Sequence, residues 1–135
     1  MSLIPESELS GYARLIGYRL ARWEPDFAEV VLELGPEHHN RGHIAHGGVL
    51  ATLVDTACGF AGCWAPEGES RAAVTLSLTT QFLLPARSGR LTATGRRVGG
   101  GRSTFFATAE IRDSHGTLLA RGEGVFRYRE STNRP

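Results

Sequence analysis

The stretch HNRGHIAHGGVLATLVDTACG, residues 39–59, decides the interpretation of this chain. It begins with histidines and glycines and then becomes apolar, and from Gly47 to Pro66 the only charged residue is Asp55. The apolar residues lie on most sides of a helical projection, which predicts a helix over residues 47–64 that the rest of the protein nearly encloses. The question is why a carboxylate lies in the middle of that helix.

The residues that neighbour Asp55 on the predicted helix surface are all small. Residues three, four and seven positions away share its face, and they are Gly48, Ala51, Thr52, Cys58, Gly59 and Gly62. Such a trough allows close packing of another element, with Asp55 bonded to backbone donors, or it leaves room for a ligand. Because a carboxylate without a basic neighbour is costly to bury in charged form, the second interpretation makes Asp55 a general base or nucleophile. The residues alone leave both interpretations open.

The start of the predicted helix offers donors for negative charge. Gly47 and Gly48 open the helix, and the first amides of a helix lack partners within it. With the helix dipole they form a site for a developing oxyanion. Gly48 and Asp55 are about 10.5 Å apart along the axis, so a substrate would have to lie along the trough, or a water would have to bridge to Asp55.

The remainder of the chain predicts a largely antiparallel sheet. Alternating apolar and polar residues, separated by short turns, indicate strands over residues 10–22, 27–34, 73–84, 91–98, 104–113 and 117–129. In residues 73–84, the alternation puts Thr75 on the face opposite Val74 and Leu76. One long apolar helix and one such sheet predict an α+β fold with the sheet curled around the helix.

Length and charge limit the class of protein. The chain has 135 residues, which fits one domain over residues 1–135, and we expect a frayed tail from about residue 130. A net charge of +1 gives no reason to expect nucleic acid or a membrane surface as partner. All 15 basic residues are arginines, which excludes lysine chemistry and leaves arginine as the only fixed cation.

Membrane insertion, secretion and metal binding are each disfavoured. Asp55 makes a membrane span over residues 47–65 costly, no signal peptide is recognised, and Cys58 and Cys63 are expected to be reduced thiols of a cytoplasmic protein. Four histidines occur within nine residues, at positions 38, 39, 43 and 46. Only Glu37 accompanies them closely, so we expect them to bond to the backbone or line a cleft, with no metal site.

The pattern N-x-G-x-x-x-H-G-G-x-x-x-x-x-x-D resembles the signature of hotdog-fold thioesterases. It is formed by Asn40, Gly42, His46, Gly47, Gly48 and Asp55. The similarity extends to the PaaI-type subfamily, named for phenylacetic acid degradation, and to its mammalian relative, thioesterase superfamily member 2. The later stretch TTQFLLPARSG, residues 79–89, is similar to the strand of this family that ends in a proline before a turn.

The resemblance implies hydrolysis of acyl-CoA thioesters, with an aromatic acyl group, such as phenylacetyl or hydroxybenzoyl, or a medium-chain fatty acyl group. It implies a central helix wrapped by a curved, mainly antiparallel sheet, and homodimers or homotetramers with active sites at the dimer interface. No cofactor is implied, because coenzyme A is part of the substrate.

The resemblance also implies roles for particular residues. Asp55 would be the general base or nucleophile, and Asn40 and the Gly47 amide would polarise the thioester carbonyl. His46 would help to shape the site, and Thr75 would hold the water.

For coenzyme A, cations and backbone donors are needed at the phosphates. The turn GGGRST, residues 99–104, offers Arg102 and Ser103, the turn PARSGR offers Arg90, and Gly48 offers an amide at the helix start. Each turn could equally be a solvated hairpin. Two other functions stay open: a hotdog enoyl-CoA hydratase or dehydratase that uses His46 with Asp55, and a non-catalytic acyl-CoA-binding module.

Overall fold

The computed structural model describes residues 2–130, so the predicted tail after Glu130 lies outside the described residues. Two helices and six strands follow one another along the chain. They are α1 (Gly11–Ile16), β1 (Arg19–Glu24), β2 (Phe27–Leu34), α2 (Gly47–Gly62), β3 (Ala73–Phe82), β4 (Gly89–Gly100), β5 (Thr104–Arg112) and β6 (Leu118–Tyr128). Two single turns of 3-10 helix, Glu6–Glu8 and Pro36–His38, complete them.

The six strands form one antiparallel sheet in the order β1-β2-β4-β5-β6-β3. Helix α2 contacts all six strands, so the sheet wraps around it, and the buried core lies between them. The predicted α+β architecture is therefore confirmed. Strands β1 and β3 are the two edges of the sheet. Within residues 2–130, no helix combines the length and the apolarity that a bilayer crossing requires.

The prediction of a strand over residues 10–22 is wrong in its first half. Helix α1 begins where Ser10 Oγ accepts a hydrogen bond from the Ala13 amide, and it ends at Gly17, which has a left-handed φ of 95°. A serine before the first turn and a glycine after the last are helix caps. These local signals outweigh the alternation of apolar residues, and the strand begins only at Arg19.

Glycines allow α2 to lie directly on the sheet. A Cβ atom at Gly95 of β4 would overlap the backbone of Ala57, and a Cβ atom at Gly62 would overlap the ring of Phe105. Both glycines therefore mark close approaches of backbone to neighbouring atoms. The end of α2 is further held by two aromatic donors, since Trp23 Nε1 and Tyr128 Oη donate to the carbonyl oxygens of Phe60 and Gly62, both at 2.7 Å.

A β-bulge in β3 corrects the predicted alternation. Thr75 pairs with the buried Phe126, but the register then shifts, and Ser77 pairs with Val125. Leu76 is the extra residue of the bulge. Since paired residues of antiparallel strands share a face, Thr75 points to the helix side of the sheet, the same side as Leu78 and Phe82. A strict period of two had placed Thr75 opposite to these residues.

Candidate active site

The carboxylate of Asp55 is bonded to a residue of β3. Thr75 Oγ1 donates a hydrogen bond to Asp55 Oδ1 at 2.6 Å. Asp55 lies in the third turn of α2 and is half-buried, so it is less enclosed than its apolar sequence surroundings predict. Thr75 faces the helix because it pairs with the buried Phe126, and the bulge that follows it keeps Leu78 and Phe82 on the same side. The second oxygen, Oδ2, accepts no hydrogen bond from residues 2–130.

The trough around Asp55 divides into an open half and a packed half. Gly48 is exposed, and Ala51, Thr52 and Gly59 are half-buried. Cys58 and Gly62 belong to the core instead. Close packing therefore accounts for only part of the small residues, and Asp55 bonds to the Thr75 side chain instead of the backbone donors of that interpretation. The open half lies on the side toward the helix start, which leaves room beside Asp55.

The helix start presents one amide to its surroundings. His46 is the N-cap of α2, and its Nδ1 accepts a hydrogen bond from the Gly48 amide at 2.8 Å. The Gly48 amide is therefore occupied and is not available to a ligand, in contrast to its expected role. Among residues 2–130 the Gly47 amide has no acceptor. A Cβ atom at Gly47 would lie 3.4 Å from the Phe82 ring, so the helix start lies beside the end of β3.

The side chain of Asn40 is oriented by its own loop. Its Oδ1 accepts hydrogen bonds from the amides of Gly42 and Ile44, at 2.8 and 3.4 Å. These two contacts identify the oxygen, because only an oxygen can accept from an amide. The Nδ2 group donates no hydrogen bond to residues 2–130. Asn40 thus offers a fixed donor, which is what its predicted role requires.

The remaining histidines of the loop bond to the backbone. His38 is buried, with Nδ1 accepting from the Gly35 amide and Nε2 bonded to the Ile16 carbonyl at 2.6 Å. His39 Nε2 bonds to the Arg87 carbonyl, whereas His43 is exposed and has a positive φ of 59°. In the described part of the chain, no three histidine, cysteine or acidic side chains cluster closely enough to hold a metal ion.

The residues suggested for coenzyme A separate in space. Arg102 and Ser103, in the turn between β4 and β5, line a cavity of about 820 Å³. Arg90 lies elsewhere, and its Nε donates to Glu33 Oε1 at 2.6 Å across the β2–β4 pair. Arg90 therefore already has an anionic partner, whereas Arg102 forms no ion pair with a carboxylate of residues 2–130.

Tyr12 of α1 is a neighbour of the site that the sequence did not reveal. Its hydroxyl lies 2.7 Å from Thr52 Oγ1, and Thr52 donates its own proton to the Gly48 carbonyl at 2.9 Å. Tyr12 must therefore be the donor to Thr52, one helical turn before Asp55. The caps at Ser10 and Gly17 were the available signal for α1, but nothing in the sequence indicated its contact with α2.

Chemically, the arrangement provides a carboxylate with one fixed and one open oxygen, together with separate hydrogen-bond donors. A group of this kind can remove a proton from water or attack an electrophilic carbon. The amide of Gly47 and the Nδ2 group of Asn40 can stabilise an oxyanion. These are the parts that hydrolysis of an ester or thioester needs.

Comparison with known proteins gives the family. Residues 42–120 match the model of the thioesterase superfamily. The chain is 26% identical over 129 residues to a medium/long-chain acyl-CoA thioesterase, YigI, of Escherichia coli K12, covering 85% of this chain and 83% of that protein.

Two solved structures are similar throughout. A conserved protein of Pseudomonas aeruginosa superposes with a TM-score of 0.83 and 31% identity, covering 92% of this chain and 98% of that one. The PaaI protein of the phenylacetic acid degradation operon of Escherichia coli superposes with a TM-score of 0.81 and 26% identity, covering 93% and 89%. The chain therefore belongs to the thioesterase superfamily, and it is a thioester hydrolase with the hotdog fold.

Proposed function

We propose that this protein hydrolyses acyl-CoA thioesters to the free acid and coenzyme A, with Asp55 as the reacting carboxylate. The observation that carries the proposal is the bond from Thr75 Oγ1 to Asp55 Oδ1, on the open half of the trough. This bond holds the carboxylate in one orientation and leaves Oδ2 for chemistry. A general base has to be fixed in this way relative to the proton that it removes.

In the reaction, Asp55 Oδ2 removes a proton from a water whose oxygen attacks the thioester carbonyl carbon. The oxygen of the tetrahedral intermediate is bound by the Gly47 amide and Asn40 Nδ2. When the intermediate collapses, the carbon–sulfur bond breaks, and the leaving thiolate receives the proton held by Asp55. The alternative is direct attack by Asp55 Oδ2 on the carbonyl carbon, which breaks the carbon–sulfur bond, releases the coenzyme A thiolate and forms an anhydride that water then hydrolyses. His46 supports either course by fixing the helix start.

The proposed site is shared between two chains of a homodimer. Within one chain, Gly47 lies beside Phe82 at the end of β3, whereas Asp55 lies beside Thr75 near its start. If the β3 strands of two chains pair antiparallel, the end of each strand meets the start of the other. The oxyanion donors of one chain then approach Asp55 of its partner.

The edge of the sheet supports this dimer. Strand β3 has no neighbour on one side, and long apolar edge strands are sites for strand pairing. Half of the ten exposed large apolar residues of residues 2–130 fall within residues 74–84: Val74, Leu76, Phe82, Leu83 and Leu84. We propose the dimer as the minimal active unit and a tetramer of two such dimers as the larger assembly.

The acyl group is proposed as aromatic or medium-chain. Each choice is supported by the name of one similar protein. YigI is a medium/long-chain acyl-CoA thioesterase, and PaaI belongs to the phenylacetic acid degradation operon. A cytoplasmic location stays a prediction that two free cysteines support, because thiols persist in reducing compartments.

The contacts of His46 argue against a hydratase. That chemistry needs a histidine and a carboxylate acting together, but His46 Nδ1 is occupied as the cap of α2. A non-catalytic binding module would have no need for a carboxylate oriented by Thr75.

Substitution of Asp55 tests the proposal. Asp55→Asn keeps the shape and can still accept the Thr75 bond, but it cannot take a proton, so we expect kcat to fall about 10²- to 10⁴-fold. Release of free thiol from a panel of acyl-CoAs measures this and also identifies the acyl group. The matched control is Asp113→Asn in an exposed turn. An Asp55→Asn protein with the wild-type kcat would disprove the mechanism.

Mixed dimers test whether the site is shared. Asp55→Asn and Asn40→Ala chains are each expected to be inactive alone. After unfolding and refolding together, half of the dimers contain one chain of each kind, and one of their two sites is intact. We expect recovery of about a quarter of the wild-type activity. If the refolded mixture stays inactive while wild-type protein survives the same treatment, each site lies within one chain.

A further inference from the structure

Helix α1 is hydrogen-bonded to both segments that carry the proposed oxyanion donors. One is the segment of residues 35–46, which contains Asn40, and the other is the first turn of α2, which begins with Gly47. The buried side chain of His38 connects the first segment to the end of α1. The hydroxyl of Tyr12 connects α1 to the first turn of α2 by way of one further side chain. The short helix thus joins two parts of the site that come from different elements.

His38 makes its connection through both nitrogens of the ring. Nδ1 accepts from the Gly35 amide at 2.9 Å, so the proton of the neutral ring is on Nε2, which donates to the Ile16 carbonyl at 2.6 Å. Glu37 Oε1 is 3.7 Å from Nδ1, too far for a hydrogen bond. Ile16 is the last residue of α1, and the carbonyls of a last helical turn lack partners within the helix. One tautomer of His38 therefore closes both the end of α1 and the turn at Gly35.

The backbone of the same segment transmits the position of His38 to the donor side chain. The His38 carbonyl accepts from the His46 amide, and the Asn40 amide donates to the Ile44 carbonyl, both at 2.8 Å. Asn40 follows His38 by only two residues, and its side chain is held by amides of the same loop. A displacement of His38 from the end of α1 would therefore displace Asn40 as well.

Tyr12 makes the second connection, to the first turn of α2. Its hydroxyl donates to Thr52 Oγ1 at 2.7 Å, and Thr52 Oγ1 donates to the Gly48 carbonyl at 2.9 Å. Gly48 lies in the turn whose first amide is that of Gly47. Tyr12 and Ile16 are four residues apart, so the same turn of α1 makes both connections.

We propose that α1 is a brace that sets the position of the Asn40 side chain relative to the Gly47 amide, with His38 and Tyr12 as positioning residues. The inference rests on the proposed function, because it concerns the oxyanion donors of that site. Donors stabilise an oxyanion best when they are already placed where the negative charge develops. The two donors come from a loop and a helix start, and α1 gives them a common support. His38 and Tyr12 act through these donors and not on the substrate.

Two variants of His38 separate its two contacts. The side-chain nitrogen of glutamine can take the position of Nε2, and the side-chain oxygen of asparagine can take that of Nδ1. His38→Gln therefore keeps the donor to the Ile16 carbonyl, whereas His38→Asn keeps only the acceptor for the Gly35 amide. We expect His38→Asn to lower kcat about tenfold with little change in KM, and His38→Gln to retain most of the wild-type kcat. The opposite order would overturn the proposal, because the turn at Gly35 would then matter and α1 would not.

Tyr12→Phe removes the other connection and keeps the aromatic ring. We expect kcat to fall about fivefold, again with little change in KM. The matched control is Tyr128→Phe, which removes a phenol hydroxyl that donates to the Gly62 carbonyl at the far end of α2, also at 2.7 Å. Its Tm should fall because a hydrogen bond is lost, but its kcat should equal that of wild type. Equal losses of kcat in the two variants would indicate a general loosening of α2 and contradict the brace.

The double variant Tyr12→Phe/His38→Asn tests whether the two connections work as one. The side chains of Tyr12 and His38 form no hydrogen bond with each other, so independent effects would multiply to a loss of about fiftyfold in kcat. A brace that is released at one end no longer holds the other. We therefore expect the double variant to lose about tenfold, no more than His38→Asn alone, and a multiplicative loss would refute the proposal.

Nuclear magnetic resonance of isotope-labelled protein provides a readout that needs no turnover. The ring nitrogens of His38 should show the neutral form with its proton on Nε2. Tyr12→Phe should shift the side-chain amide signals of Asn40, whereas Tyr128→Phe should leave them unchanged. If wild type cleaves no acyl-CoA but these shifts occur, the proposed function fails and the brace stands. If wild type cleaves acyl-CoA, but Tyr12→Phe changes neither kcat nor the Asn40 signals, the brace fails alone.

Discussion

The substitution Gly95→Ala should affect stability and activity together. Gly95 lies on β4 beneath α2, and a methyl group there would lie far inside van der Waals distance of the Ala57 backbone. The helix would have to withdraw by about 1 Å to restore normal contact. Ala57 is two residues from Asp55, so the carboxylate would move with the helix while Thr75 stays on the sheet.

The change in unfolding free energy is the difference between two contributions of opposite sign. Overpacking a core costs about 1–3 kcal/mol, and the loss of glycine flexibility in the unfolded chain returns about 0.5–1 kcal/mol. With the middle value of each range, the net loss of unfolding free energy is about 1.3 kcal/mol. For a chain of this length that lowers Tm by about 3–8 °C. A misplacement of about 1 Å between Asp55 and Thr75 should lower kcat about ten- to a hundredfold.

Thermal unfolding followed by circular dichroism and thiol-release kinetics measure the two effects. The matched control is Gly11→Ala at the start of α1, where a methyl group would meet no atom within 4 Å; its Tm should be unchanged or slightly higher. If Gly95→Ala has the wild-type Tm and kcat, the close approach of helix and sheet does not position Asp55, and the reasoning is refuted.

Two other predictions concern the same helix. Thr75→Val should lower kcat about ten- to a hundredfold through loss of its charge-assisted bond to Asp55, and Thr75→Ser should restore most of it; equal kcat values for wild type and Thr75→Val would contradict the positioning role. Burial, with a smaller contribution from the Asp55 charge, raises the pKa of Cys58 to about 12, and burial raises the pKa of Cys63 to about 11, partly opposed by Arg71. Both thiols should therefore resist a disulfide reagent at about pH 8 until the protein is unfolded, and rapid labelling of the native protein would contradict this.

Local pattern was sufficient to predict α2 and most of the strands. A mainly apolar run with Asp55 as its one charge predicted helix 47–64, and the structure has Gly47–Gly62. The alternation in residues 27–34 predicted β2 with the observed bounds. Such patterns succeed because burial of one face has a fixed period in each type of element. They failed for α1, because this helix is too short to show a repeat of apolar residues. The capping residues Ser10 and Gly17 define its two ends instead.

By itself, the sequence singled out the residues that we propose as reacting groups. Asp55 was the single charge of an apolar helix, and Asn40, His46 and Gly47 preceded it in a pattern that resembles thioesterases. Only the tertiary structure decided their geometry. The Thr75 hydroxyl reaches Asp55 because Thr75 pairs with the buried Phe126 of β6 and so faces the helix. That pairing joins two residues about fifty positions apart in the chain.

The cavity of about 820 Å³ shows the same division more clearly. Four arginines from three segments border it, and no spacing in the sequence relates Arg71 to Arg102 or Arg127. They meet because β6 pairs with both β3 and β5, which brings the start of one strand and the turn before another to the same end of the sheet. A single sequence shows which charges exist, but the long-range pairing of strands decides which of them act together.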